Sequence, residues 1–273
     1  MVNNSFLFQL IYAGLIGLCG PQDVFFPVVN NESFSRGEVL DFKMTYGIFT
    51  IGTGSAHIDK NYFNYSDRDC FKVDITAQTV GMVNWVADVH NQYTAYIDTA
   101  SLLPLMFYRK QRERNYKKDE QTNFDHPNRK ISVRSVDKKT GKWKDPVVFQ
   151  APPEVRGMIS GFLFLRNMNL SKTKMNDTIL IKGFFEDEFY ALKIVFKGRA
   201  VINTEAGKIR TLVFKPVMPR NKLFEGENSI TAFFSDDKNR IPVKIEAKMF
   251  IGSAGVELMH YSGLKNHLNT VSD

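Results

Sequence analysis

The chain has 273 residues, a formal net charge of +7 and 43% hydrophobic residues. That hydrophobic content excludes a disordered chain, and a chain this long buries enough surface to fold without a metal or a disulfide. The 23 Phe against two Trp lean the composition toward pleated, half-buried surfaces, and hence toward sheet.

The N-terminus comes first. Phe6 to Leu18 is apolar except for Gln9, and such a run is short for a bilayer span. It reads as an export signal over residues 1–20, followed by a single β-rich domain over 21–273, although Met1 to Ser5 carries no Lys or Arg. Cys19 is a candidate for lipidation, which would bring the chain to a membrane, but Leu18 stands where that processing wants a small residue. Cys70 is then the one remaining thiol. It cannot form an internal disulfide or a CxxC zinc site, and it reads as buried and inert.

After a loop from Pro21 to Arg36, apolar Leu40, Phe42, Met44 and Tyr46 alternate with polar Asp41, Lys43 and Thr45. A period of two puts one face on a core and the other in water. Gly47, Gly52 and Gly54 follow, which predicts bends or bulges that curve the sheet. Phe71 to Thr79 and Val89 to Ile97 alternate in the same way. Leu102 to Tyr116 reads as one long strand running into the basic stretch from Tyr108 to Lys118. That stretch holds Arg109, Lys110, Arg112 and Arg114, a candidate surface for an anionic partner and otherwise a solvated hairpin. Nucleic acid is not expected for an exported chain. Lys130 to Val136 and Trp143 to Phe149 flank a turn signal and read as a hairpin.

Val155, Met158, Ile159, Phe162 and Leu165 then fall at helical spacing, behind Pro152 and Pro153. They predict one central helix over about Pro153–Met168, with Gly157 and Gly161 baring a face that can approach a sheet closely. Further hairpins follow, around 186–188, 205–207 and 235–240. The expected fold is mainly β: a single antiparallel, strongly curved sheet or open barrel around that helix.

The segment Phe234-Ser235-Asp236-Asp237-Lys238-Asn239-Arg240-Ile241-Pro242-Val243 carries a resemblance, as do Gly37-Glu38-Val39-Leu40, Leu103-Pro104 with Arg109 and Arg112-Glu113, Phe124-Asp125, and Ile159-Ser160 with Leu165-Arg166. In this order, from Arg36 to about Leu258, they resemble the bacterial exported domain-of-unknown-function family 3108. One departure is Phe233 or Phe234 where the family pattern leads us to expect Trp. The resemblance implies an exported, β-rich protein, in the periplasm or associated with the outer membrane, and carries no activity with it.

His57, His90, His126, His260 and His267 fall in no zinc-binding spacing, and there is no GxSxG or P-loop, so neither metal nor cofactor is expected. Asp236 and Asp237 form the most tempting carboxylate pair, yet Asp-Asp-Lys-Asn is also what a hairpin turn wants. The expectation is that Ser235, Asp236 and Asp237 cap a turn, that Arg240 pairs with one carboxylate, and that Pro242 lies on an edge or with its nitrogen side unpaired. The favoured role is a non-enzymatic envelope protein binding a lipid-like, acylated or amphipathic ligand in its curved sheet, with the helix plugging or gating the concave face. Alternatives are a hydrolase of envelope polymers using Asp236, Asp237 or Glu113, and a structural or assembly partner of other envelope proteins.

Overall fold

The computed structural model describes residues 25–85, 87–217 and 229–271. The expected signal segment with Cys19 lies outside the described residues. The first eight strands are β1 (Val39–Tyr46), β2 (Phe49–Tyr65), β3 (Arg68–Thr79), β4 (His90–Asp98), β5 (Pro104–Glu113), β6 (Tyr116–Asp125), β7 (Lys130–Ser135) and β8 (Val147–Gln150). Helix α1 (Met158–Asn167) follows. The chain returns as β9 (Thr178–Phe185), β10 (Glu188–Thr204), β11 (Gly207–Pro216), β12 (Ile230–Ser235), β13 (Pro242–Lys248) and β14 (Ser253–Ser262).

The fourteen strands of the described residues lie in one antiparallel sheet, ordered β8-β7-β6-β5-β4-β3-β2-β1-β14-β13-β12-β11-β10-β9. The chain thus lays down one half as a meander from the middle to an edge, crosses through α1, and returns from the opposite edge until β14 pairs with β1. The sheet is not closed. Its two edges are linked by the segment after β8, where the Arg156 amide donates to the Lys182 carbonyl and the Phe184 amide to that of Arg156. This contact covers part of the β9 edge.

Because neighbouring strands alternate in direction, each described turn that follows an odd-numbered strand lies at one end of the sheet, here the rim. The other end, the base, gathers the connections to α1, the β12–β13 turn and the segments flanking β1 and β14.

One bulge falls at a glycine singled out in the sequence, Gly52, and another at Gly198, which was not. The β1–β2 register slips between Met44 and Thr45, opposite Gly52. A Cβ at Gly52 would stand 2.5 Å from the Gln78 carbonyl oxygen, so only glycine fits there. In β10, Gly198 takes φ +112 at the bulge that follows Phe196, a conformation closed to other residues.

The helix is shorter than predicted. Pro152 and Pro153 disfavour helical backbone just before them, Glu154 takes a left-handed φ of +57, and Arg156 is used in edge pairing. Helix α1 therefore begins only after Gly157, whose amide donates to Ser160 Oγ. A Cβ on Gly161 would meet Ile181 Cγ2 of β9 at 3.5 Å, an ordinary van der Waals contact, so the packing of the helix on the sheet does not require glycine there. Ile159 and Leu163 pack into a core with Phe71, Val73, Ile97, Phe107 and Ile131 from the first half of the sheet. Leu165 joins Ile181, Phe196, Phe214 and Phe234 from the second half. Phe162 touches both clusters. The helix is thus the shared core of the two halves. A third cluster lies where β1 and β14 meet Ile209, Val243 and Leu268.

Candidate functional site

The resembling segments converge at the base. Asp237 Oδ1 accepts from Ser235 Oγ at 3.0 Å and from the amides of Asn239 and Arg240 at 2.8 and 3.2 Å. Its Oδ2 accepts the Asn269 amide at 2.9 Å. Ser235 Oγ also accepts the Ile241 amide. Asp and Ser thereby satisfy backbone donors that a tight turn leaves open.

The expected pairing of Arg240 is different. Its Nη1 donates to the Arg166 carbonyl at 2.7 Å, at the last turn of α1, where carbonyls lack helical partners. Asp236 instead pairs with Arg199 Nε at 2.9 Å, across from β10. Pro242 opens β13 at a bulge inside the sheet rather than on an edge strand, and the first position of a strand tolerates a missing donor.

Beneath this turn lies a charge pair that the sequence reading did not single out. Arg166 makes two parallel bonds to Glu38, Nη1–Oε1 at 2.6 Å and Nη2–Oε2 at 2.8 Å, with both side chains about 98–99% buried. Arg166 Nε donates to the Asn239 carbonyl. The approach to β1, the end of α1 and the β12–β13 turn are thus held by one guanidinium. The signal available was that Glu38 and Arg166 both sat in resembling motifs, 128 residues apart.

The basic stretch is a hairpin, not one long strand. Arg114, at φ +43, turns the chain between β5 and β6. Arg109 does not belong to an anionic-partner surface. It is 1% exposed, points to the helix side of the sheet, and pairs with Glu120 at 2.7 Å and Glu186 at 2.6 Å. Period-two charges looked like two solvated faces, but neutralisation across β6 and the β9–β10 turn lets one face enter the core. Arg112 pairs with Asp119 and Lys118 with Glu120. Lys110 and Arg114 remain exposed at the surface.

The clefts bordered by helix-side residues are small, one of about 90 Å³ beside Phe124, Ile131 and Val155. A cleft between Phe107, Thr122, Gly157 and Phe184 measures about 10 Å³, room for one water at most. A groove of about 530 Å³ lies instead near the base, reaching the opposite face of the sheet. Strand alternation places it: Ile131, Val133 and Phe149 pack toward α1, so Ser132 and Val148 face away. Phe26, Leu105 and Val148 give the groove apolar surface, and Tyr65, Arg68 and Lys130, with Asp67 and Asp125, give it polar borders of both charges. Arg68 is fixed by Asp98 at 2.7 Å and lies 3.9 Å over the Phe26 ring. Tyr65 Oη donates to Asn123 Oδ1 at 2.8 Å. Asp236, Asp237 and Glu113 border none of these clefts.

Next to the groove, His126 is buried and its Nε2 donates to the Pro104 carbonyl at 2.8 Å. Burial holds its pKa below the usual histidine range. The unfolded chain therefore binds a proton, below about pH 6.5, that the folded chain resists. Stability from this group is full above that pH and declines as the pH falls toward the depressed folded value. The melting temperature should drop between about pH 7 and pH 5.5, and His126→Phe should flatten that drop in thermal unfolding. Cys70 is fully buried, and burial pushes its thiol up to about 12, leaving it an inert thiol at neutral pH.

No curated protein is significantly similar to the chain. Among solved structures, it resembles a β-barrel-like protein of domain of unknown function DUF1849 from Brucella abortus. The TM-score is 0.53 at 10% identity, over 84% of this chain and 99% of that one. It also aligns with a candidate lipoprotein of Parabacteroides distasonis (TM-score 0.35, 14% identity, 84% and 97% covered). A third match is a candidate exported protein of Bacteroides fragilis with a YmcC-like fold (0.35, 10%, 87% and 99%). The first of these supports the fold, an open, barrel-like sheet. The family model for proteins of unknown function DUF3108 matches residues 41–259, from β1 through β14 and including the Ser235–Arg240 turn, and the chain belongs to that family.

Proposed function

We propose that this is an exported, non-enzymatic envelope protein that binds an amphipathic, lipid-like molecule in the groove bordered by Phe26, Tyr65, Arg68 and Val148. One observation carries the reading: the groove joins apolar surface to polar borders of both charges, Arg68 and Lys130 with Asp67 and Asp125, in a volume suited to a small ligand, about 530 Å³. Apolar side chains take an acyl chain, and Arg68 and Lys130, with Asp67 and Asp125 beside them, face a polar head. The site differs from a pocket on the concave face, because α1 fills that face with Ile159 and Leu163. A hydrolase reading is weaker: Asp237 spends one oxygen on turn amides and the other on the Asn269 amide, and Asp236 is paired with Arg199.

The test is native mass spectrometry of protein purified from its own envelope, followed by titration with fluorescent fatty acids and phospholipids. Bound amphiphile is expected in the first and saturable binding in the second. Val148→Glu places a charge on the apolar surface at an exposed position, and should weaken binding about tenfold with an unchanged melting temperature. Ligand-free protein that also ignores every lipid probe would contradict the proposal.

A further inference from the structure

At the rim, far along the strands from the groove, large apolar side chains stand in solvent on three separate connections. The β1–β2 turn presents Ile48 (91% exposed) and Phe49 (68%). The β13–β14 turn presents Phe250 (65%) and Ile251 (80%). These two turns adjoin: the Gly47 amide donates to the Ser253 carbonyl, and Tyr46 Oη to that of Ile251. The β3–β4 connection, with a short 3-10 turn at Gly81–Trp85, presents Met82 (85%) and Trp85 (87%). It is held to the first pair by the Val80 amide, which donates to the Ile51 carbonyl.

The next connections along the rim are basic. The Arg114 amide donates to the Asp88 carbonyl, which joins the β5–β6 turn to the β3–β4 connection. Lys138 of the β7–β8 connection lies 4.7 Å over the Tyr116 ring, which joins it to the β5–β6 turn. Between Lys110 and Lys118, and between Lys138 and Lys144, the sole acid is Glu113. Lys110, Arg114, Lys117 and Lys139 are exposed. Nearby acids at the rim are engaged: Asp119 with Arg112, Asp137 with turn amides and Lys144, Asp88 with His90, and Glu113 with Asn91. Asp145 and Asp187 are exposed.

One continuous arc of turns is therefore apolar along one part and cationic along the next. A packed protein interface would need a complementary surface for tips set on separate hairpins. A bilayer needs none: it takes protruding apolar side chains below its headgroups and attracts Lys and Arg by its anionic charge. Tryptophan prefers that interfacial depth, and both tryptophans of the chain, Trp85 and Trp143, are on this rim. We infer that the rim docks the protein onto an anionic phospholipid bilayer, with Ile48, Phe49, Phe250 and Ile251 inserted and the Lys110–Lys118 hairpin against the headgroups. This inference is independent of the groove, which lies near the other end of the strands.

Because both tryptophans sit at the rim, their emission reports docking there and nowhere else. The full chain would be mixed with vesicles of phosphatidylcholine alone or with phosphatidylglycerol. A blue shift is expected with the anionic vesicles, with quenching by brominated lipid, and it should weaken as salt is raised. The variant Ile48→Ser/Phe49→Ser/Phe250→Ser/Ile251→Ser should melt as the wild type does and lose affinity at least about tenfold. Lys110→Glu/Lys117→Glu/Lys139→Glu should lose the preference for anionic vesicles. The inference is overturned by unchanged emission with anionic vesicles, including co-sedimentation without a shift, which would mean attachment through another part of the chain. It is equally overturned by full binding of the serine variant, or by a wild-type dimer that ignores vesicles and that the serine variant splits, which would mean the rim covers a second copy. Loss of rim docking with groove binding intact would leave the ligand proposal standing, and the reverse result would leave this one.

Discussion

Arg166→Met is expected to destabilise the fold by about 3–5 kcal/mol, because it leaves the Glu38 carboxylate buried without its partner. Glu38 is 2% exposed and receives two guanidinium bonds, so no water can replace what is lost. The same substitution frees the Asn239 carbonyl and loosens the β12–β13 turn from α1. For a chain of this size the melting temperature should fall by roughly 2–4 °C per kcal/mol. Arg166→Met/Glu38→Leu should recover much of the loss, since apolar side chains of similar volume can replace a buried ion pair at little cost. Thermal unfolding followed by circular dichroism checks both variants. A single variant within about 1 kcal/mol of the wild type would remove this pair from the account of what joins the two halves.

Leu163→Ala is expected to cost about 2–5 kcal/mol, the range for a leucine truncated in a close-packed core. Leu163 is 2% exposed and contributes to the cluster containing Phe71, Ile97 and Phe107. This result separates a helix that completes the core from one that gates a pocket. A gate would open with little loss of stability and with greater uptake of lipid probes into the concave face. A structural helix loses stability, measured by denaturant unfolding, and gains no second class of binding site.

Much of the sheet was legible because solvent faces one side of several strands. The alternation in β1, β3, β4 and β13 is a direct record of that asymmetry. Strand β2 was not legible. Its register breaks between Ile58 and Tyr62, where Asp59-Lys60-Asn61 interrupts the pairing, and its first half is rich in Gly, Thr and Ser. Arg109 was misplaced because a salt-bridged cation on a core face has the same sequence pattern as a solvated one. Its neutralising partners, Glu120 and Glu186, lie on other elements. The Asp237 turn was legible because it is local: donor and acceptor lie within a few residues. The redirected Arg240 was not, because its acceptor is the Arg166 carbonyl on α1. Of the groove's lining, only Phe124-Asp125 falls in a resembling segment, and nothing in the sequence joins it to the rest. Phe26, Tyr65, Leu105, Ser132 and Val148 come from five stretches of chain, and only the curvature of the sheet brings them together.

The account places an amphipathic ligand on the face of the sheet that looks away from α1, and the most direct measurement is photo-crosslinking with a fatty acid carrying a photoreactive group along its chain. After irradiation and proteolysis, mass spectrometry locates the adducts. They are expected on the groove residues, Tyr65, Leu105 and Val148 among them, and they should diminish in Val148→Glu. Adducts on Ile159, Leu163 or the strand residues facing them would show a ligand inside the concave face, and a chain that takes no label at saturating lipid would show none at all. Either result would contradict the account.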